Sequence, residues 1–224
     1  MLRMAETIIT VEGHFDYHHP AERGTVLLAA GFQGPERASV VSRTAQLHGA
    51  LTQQAQQLVA GNTVTWWSAD RMRVWSERPW NNAGAQLPLV HHASVGLEVK
   101  FSDLSALAVW VEKVATLDGV TVTGIHWALT EVTKSRITAE SQERAVNDAV
   151  SRATAYAQSL GLSTVVPLAL ADPGMLGDDS RPFSPAGAAP MVRAMAASAQ
   201  EGGLDLKPED ITVESRVHAR FAAS

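Results

Sequence analysis

Apolar and polar residues alternate along the chain with two different periods, and the changes between these periods mark the predicted strands and helices. Residues 7–15 and 25–33 are rich in β-branched and aliphatic side chains, which is typical of strands. Residues 16–24 separate them and contain Pro20 and Gly24, which indicate a break in regular structure. The start of the chain is therefore predicted to form a β-hairpin with a long connection.

Three longer segments, residues 34–62, 102–119 and 135–161, carry apolar residues at helical spacing. A glycine stands at or near the end of each segment, as is typical where a helix stops. In the third helix the stripe consists largely of alanine, which allows a neighbouring element to approach closely. The predicted buried stripes are Val40, Leu47, Leu51, Ala55 and Leu58, then Leu104, Leu107, Val111 and Val114, and finally Ala145, Ala149, Ala153, Ala157 and Leu160.

Residues 63–80 and 89–101 alternate in polarity and are predicted to be two long strands joined by a turn. In the second strand, His91 and His92 are adjacent and point to opposite faces, so they cannot both bind one metal ion. In the first strand, alternation separates an apolar set from a set of aromatic and cationic residues. The apolar set is Val64, Trp66, Met72 and Val74, and the other set is Trp67, Arg71, Arg73 and Trp75.

Further strands are predicted at residues 120–131, 162–171 and 210–222. Residues 172–207 are rich in Pro, Gly, Ala and Ser, and we expect them to form a mobile insertion. The predicted order is β-β-α-β-β-α-β-α-β-loop-β, which favours an α+β fold with a mainly antiparallel sheet and about three helices. We expect one domain over residues 1–224, with a split β-α-β arrangement as one option for residues 25–130.

The composition narrows the function classes. The 224 residues include 46% hydrophobic and 18% charged residues, and the net charge of -5 argues against nonspecific nucleic-acid binding. The absence of cysteine excludes disulfides, a thiolate nucleophile and cysteine-based metal sites. No apolar run is long enough for a spanning helix or for the core of a signal peptide, so we expect a soluble, cytoplasmic protein.

A cluster of histidines and acids lies near the start of the chain. In strand geometry Glu12, His14 and Asp16 share one side and could present three metal ligands, with His18 and His19 in the following turn. The cluster matches no established metal-binding spacing. A solvated strand end is therefore the favoured interpretation, and we expect no cofactor.

Four of the six tryptophans fall within one predicted strand and its exit, together with Arg71 and Arg73. Tryptophan and arginine are enriched where proteins contact partners, so this segment is the best candidate for a ligand groove or a subunit interface. Ordinary cross-strand packing is the alternative. The candidate residues are Trp66, Trp67, Arg71, Arg73, Trp75 and Trp80.

Four stretches of the sequence, spread over residues 8–221, resemble the SIMPL-domain family. The alanine-rich helix carries the family's small-residue spacing, which ends at Gly161. The closing strand follows Pro208-Glu209, where the family usually has Pro-Gly. The stretches are ITVEGHFDYHHPAERGTVLLAAGF, VHHASVGLEVKFSDLSALAVWVEKV, GVTVTGIHWALTE with ERAVNDAVSRATAYAQSLG, and KPEDITVESRVHARF.

The resemblance implies an α+β fold in a largely bacterial family of unknown function. Some members form ring-like or channel-like homo-oligomers, many are exported, and the family has no established catalytic residues to transfer to this chain. We therefore expect a non-enzymatic protein that self-assembles or scaffolds a protein partner, without binding nucleic acid or spanning a membrane.

Two alternatives stay open at this point. One is a metal-dependent or acid–base enzyme that uses residues 12–19, although no nucleophile elbow, phosphate loop or dinucleotide-binding motif is present. The other is a small-ligand binder in which residues 172–207 act as a lid.

Overall fold

The computed structural model describes residues 7–177 and 206–224. These residues form three helices, and the order of strands and helices confirms the predicted α+β fold. The elements are β1 (Thr7–Pro20), β2 (Arg23–Gly34), α1 (Arg37–Ala60), β3 (Val64–Ala69), β4 (Arg73–Glu77), β5 (Val90–Phe101), α2 (Leu104–Ala115), β6 (Val120–Ala128), α3 (Glu131–Ser159), β7 (Val165–Ala171) and β8 (Asp210–Ala223).

The elements fall into two compact units. One unit contains β1, α3, β7 and β8, and the other contains β2 to β6 with α1 and α2. A single domain over residues 1–224 stays a prediction. Most of the predicted insertion at 172–207, namely residues 178–205, lies outside the described residues.

In the first unit α3 packs on a three-stranded sheet with the order β1-β8-β7. Cross-strand contacts join Glu12 to His218 and His18 to Thr212, so residue numbers rise along β1 as they fall along β8, as in antiparallel strands. The alanines of the α3 stripe are fully buried against alternate residues of β1 and β8. These residues are Ala145, Ala149, Ala153 and Ala157 on α3, Ile9 and Val11 on β1, and Val217, Ala219 and Phe221 on β8.

Gly13 lets β1 lie directly against α3. A Cβ atom at this position would lie 2.1 Å from the carbonyl oxygen of Ala145 and 2.7 Å from the backbone nitrogen of Ala149. Both atoms belong to the helix backbone, which cannot move away without displacing α3 as a whole. The alanine stripe supplies small residues from α3, and Gly13 supplies one from β1, so the strand and the helix can approach closely.

The second unit has a sheet with the order β3-β5-β2-β6, and β4 also pairs with β5. The pairs β2–β5, β2–β6, β3–β5 and β4–β5 are all antiparallel. Helices α1 and α2 cover the same face of this sheet, and Nε1 of Trp110 on α2 donates to Oε1 of Gln54 on α1 at 3.2 Å. This is the split β-α-β arrangement that the sequence offered as one option for residues 25–130.

The predicted hairpin at the start of the chain is wrong. Strand β1 extends to Pro20, β2 begins at Arg23, and the two strands lie in different sheets. The alternation of exposed and partly buried residues continues through His18 and His19, so both histidines belong to the strand rather than to a turn. The sequence could not show this because the pairing partner of β1 is β8, near the other end of the chain.

The predicted long strand at residues 63–80 is divided into β3 and β4, and both pair with β5. At the break, the backbone N–H of Asp70 donates to the carbonyl oxygen of Gly96 at 3.0 Å. The Asp70 side chain lies over Gly96, where a Cβ atom would be 2.5 Å from Oδ2 of Asp70. The glycine on β5 thus provides the space for the break in its neighbour.

We predict that Gly13→Ala lowers the free energy of unfolding by about 1–3 kcal/mol, because the new methyl group collides with the α3 backbone. Urea and thermal unfolding measure the change. Gly124→Ala is the matched control, since a Cβ atom on this strand glycine has no neighbour within 4 Å. Equal stability of the two variants would contradict the packing described for β1 and α3.

A double-mutant cycle tests the contact between Asp70 and Gly96. Gly96→Ala should destabilise the protein while Asp70 is present, but should be neutral or stabilising in an Asp70→Ala background, because the collision is gone and alanine restricts the unfolded chain. We expect a coupling of at least about 0.5 kcal/mol between the two positions in urea unfolding. Additive effects would show that the two residues do not constrain each other.

Candidate interaction surface

Strand β4 places three of its residues on the helix-free face of the five-stranded sheet. Trp75 lies opposite His92 of β5, with Arg73 and Glu77 two residues away on either side. Successive side chains of β5 point to opposite faces of the sheet. Because Ala93 is buried on the helix-covered face, His92 and the β4 residue opposite it point to the other face. Arg73, Trp75 and Glu77 therefore share one exposed face.

The ring of Trp75 is held in place by a stack with His92. The two rings are 5.0 Å apart between centroids and 6° from parallel. Nε2 of His92 lies 3.3 Å from Oε1 of Glu77, but this nitrogen is buried and forms no hydrogen bond with the described residues. Although one face of Trp75 is stacked, the residue is still 44% exposed.

A β-bulge exchanges the predicted roles of Trp66 and Trp67. Val64 pairs with Phe101, but Trp66 already pairs with Lys100, so Thr65 is an extra residue in β3. Trp67 consequently lies opposite Val99 and packs into the helix-covered core, whereas Trp66 is 45% exposed on the other side. The prediction that Trp67 shares a face with Arg73 and Trp75 is wrong, and Trp66 takes that place.

The two other candidate residues lie outside the strands. Arg71 is exposed within the break between β3 and β4. Trp80 follows β4, forms an isolated bridge with Gln86 and is 67% exposed. Beside it is an open, mainly apolar pocket of about 410 Å³. The pocket is lined by Gln33, Gly34, Pro35, Pro79, Leu87, Pro88, Leu89 and Val90.

We use the term β4 surface for Trp66, Arg73, Trp75, Glu77 and His92. It combines two exposed indoles with one cation and one anion along a sheet edge. The sequence indicated most of these residues through the density of tryptophan and arginine. Glu77 was missed because a single acid next to a turn carries no distinguishing pattern.

The histidine–acid cluster of β1 lies on the exposed side of its strand. Glu12, His14 and Asp16 share that side, as predicted, because Val11, Gly13 and Phe15 face the other way. Oε2 of Glu12 is 3.4 Å from Nε2 of His218, and Oε1 of Glu12 is 3.8 Å from Nη1 of Arg216. Glu12 is therefore surrounded by groups from β8 rather than by further metal ligands from its own strand.

His14 contacts helix α3 instead of a metal partner. Its backbone N–H donates to Oδ2 of Asp148 at 3.1 Å, and its Nδ1 lies 3.7 Å from the same oxygen. Asp148 thereby satisfies a backbone donor on β1, which is an edge strand of its sheet.

Within residues 7–177 and 206–224, no three His, Cys, Asp or Glu side chains are arranged to hold a metal ion. His18 contacts Oγ1 of Thr212 at 3.0 Å, and Nδ1 of His91 contacts Oγ of Ser76 at 2.6 Å. His91 and His92 pair with successive residues of β4, which confirms that they point to opposite faces. The described residues therefore provide no set of metal ligands for the alternative of a metal-dependent enzyme.

Two arginines complete a shallow charged pocket of about 380 Å³, which Glu12, His14, Arg152 and Arg216 line. A hydrogen bond to Tyr156 raises the pKa of Arg152, and a hydrogen bond to Glu214 raises the pKa of Arg216. Both guanidinium groups stay charged and face exposed carboxylates, and such solvent-exposed pairs contribute little to stability. The pocket lining thus combines two guanidinium groups with one carboxylate and one imidazole.

Among the described residues, none of the helices combines the length and the apolar content required to cross a lipid bilayer.

Comparison with known proteins identifies a family for this chain. None of the curated proteins that were compared with the chain matches it. The family model SIMPL, described as a protein of unknown function (DUF541), matches residues 9–221 and so spans nearly the whole sequence. The chain belongs to the SIMPL family.

Proposed function

We propose that this protein is a non-enzymatic, self-associating protein whose copies bind one another through the β4 surface, and that scaffolding of partners follows from this assembly. The observation that carries the proposal is Trp75. Its ring is fixed by the stack with His92, yet it is 44% exposed at the edge of a sheet.

A fixed and exposed indole is well suited to binding another protein. Tryptophan and arginine are the residues most enriched at the energetic centres of interfaces. An immobilised side chain loses little conformational freedom on binding, so more of its burial energy contributes to affinity. Trp66 and Arg73 lie on the same face and enlarge the area that a partner could cover.

Ordinary cross-strand packing explains only part of this arrangement. The stack of Trp75 on His92 is a cross-strand pair of the kind that stabilises sheets, and it covers one face of the indole. It does not account for the exposure of Trp66 at 45% and Trp80 at 67% along the same part of the chain. Three exposed tryptophans so close in sequence are more than packing within one copy requires.

The other expectations from the sequence have less support. The acids and histidines of β1 contact cations, Asp148 or a hydroxyl group. The proposed lid over a small ligand, at residues 172–207, lies mostly outside these residues. A cytoplasmic location stays a prediction.

Light scattering at micromolar concentrations should give a mass for the wild-type protein above that of one 23.9 kDa chain. Trp75→Ala should weaken the association at least tenfold, or about 1.4 kcal/mol, since it removes the central aromatic group. Val109→Ala is the control, because Val109 is 67% exposed on α2, away from the β4 surface. A strictly monomeric wild-type protein, or equal association in both variants, would contradict the proposal.

A further inference from the structure

We infer that two copies of this chain pair edge to edge through β4, in antiparallel orientation, with a two-fold axis passing beside Trp75. This inference rests on the proposed function and adds to it the partner strand and the register. It joins the five-stranded sheets of two copies into one continuous sheet.

Strand β4 has a free edge that is suited to pairing. One side of β4 bonds to β5, and in the described part of the chain no strand pairs with its other side. The other edge strands are modified. Strands β3 and β6 each contain a β-bulge, at Thr65 and at Thr123. Pro167 removes a backbone donor from β7, and Asp148 already accepts the N–H of His14 on β1. Strand β4 contains no proline, and the backbone groups on the side away from β5 can pair with a second strand.

The sequence of β4 is complementary to itself in one register. The strand reads Arg-Val-Trp-Ser-Glu from residue 73 to residue 77. A two-fold axis at Trp75 places Arg73 of one copy opposite Glu77 of the other. By symmetry, Glu77 of the first copy lies opposite Arg73 of the second, at the other end of the contact. The two Trp75 rings meet in the middle on the helix-free face. Opposite charges and aromatic pairs are the favourable cross-strand combinations.

Two other symmetric registers are disfavoured by charge. An axis at Arg73 would place two guanidinium groups opposite each other, and an axis at Glu77 would do the same with two carboxylates. Like charges directly opposite in a sheet are destabilising. A pairing of identical copies must be symmetric to close as a dimer. The axes at Val74 and Ser76 do not place Arg73 opposite Glu77. Only the axis at Trp75 does so, and only this axis pairs all five residues of β4.

The groups of β4 remain available for this contact. Glu77 is exposed, and its Oε1 atom lies beside His92, which leaves Oε2 for the guanidinium group of the partner. Arg73 is exposed as well. Five residues on each side bury less than the roughly 800 Å² per partner of a standard interface, so the pairing is reversible and its extent rises with protein concentration.

Charge reversal tests the register. Arg73→Glu places two carboxylates opposite each other at both ends of the contact, and Glu77→Arg places two guanidinium groups there. We expect each variant alone to associate at least tenfold more weakly than the wild-type protein in sedimentation velocity. An equimolar mixture of the two variants should recover association, because a carboxylate then faces a guanidinium group at both ends. The double variant Arg73→Glu/Glu77→Arg should recover it too.

Recovery in the mixture also shows that both variants are folded, and circular dichroism confirms this for each one separately. If the single variants associate as the wild-type protein does, or if neither the mixture nor the double variant recovers, the register is wrong. Should Trp75→Ala still weaken association in that case, the proposed function stands and only the edge pairing fails. A monomeric wild-type protein would contradict both the proposed function and the edge pairing.

Discussion

The position of β4 depends on how β5 accommodates two neighbours on one side. Strand β5 is twelve residues long, and both β3 and β4 pair with it. The chain leaves the sheet between them at Asp70, whose side chain lies over Gly96, where no Cβ atom occupies the space. From this break β4 begins in the register that sets Trp75 against His92. The exposed indole, its stacking partner and the flanking charges all follow from that register.

A second close approach organises the unit that contains β1. Gly13 and the alanines of α3 allow the strand and the helix to touch through backbone and methyl groups. This explains why the opening strand has the spacing Ile9, Val11, Gly13, since these residues form its buried side. The conspicuous histidines and acids occupy the opposite side because the buried side has no room for them. Strand alternation places them together on that side.

The helices and their stripes were predictable because a periodic pattern over more than ten residues averages out local exceptions. Leu160 is the exception at a helix end, where it follows the last residue of α3 and is 64% exposed. Single-residue events were not predictable. The bulge at Thr65 reverses Trp66 and Trp67, and nothing in the local sequence marks it. Pairing across long sequence distances was equally hidden, so β1 was assigned to β2 instead of β8.

The β4 surface combines rigidity, exposure and self-complementary charge. The chain contains no cysteine, so introduced cysteines report on a contact without interference. The most direct measurement is mild oxidation of an equimolar mixture of Val74→Cys and Ser76→Cys. In the proposed register these positions face each other across the two copies, and directly opposite Cα atoms about 4.5–5.5 Å apart suit a disulfide. The account predicts disulfide-linked dimers in the mixture and far fewer with either variant alone. Cross-linking that is absent from the mixture, or equal in all three samples, would contradict it.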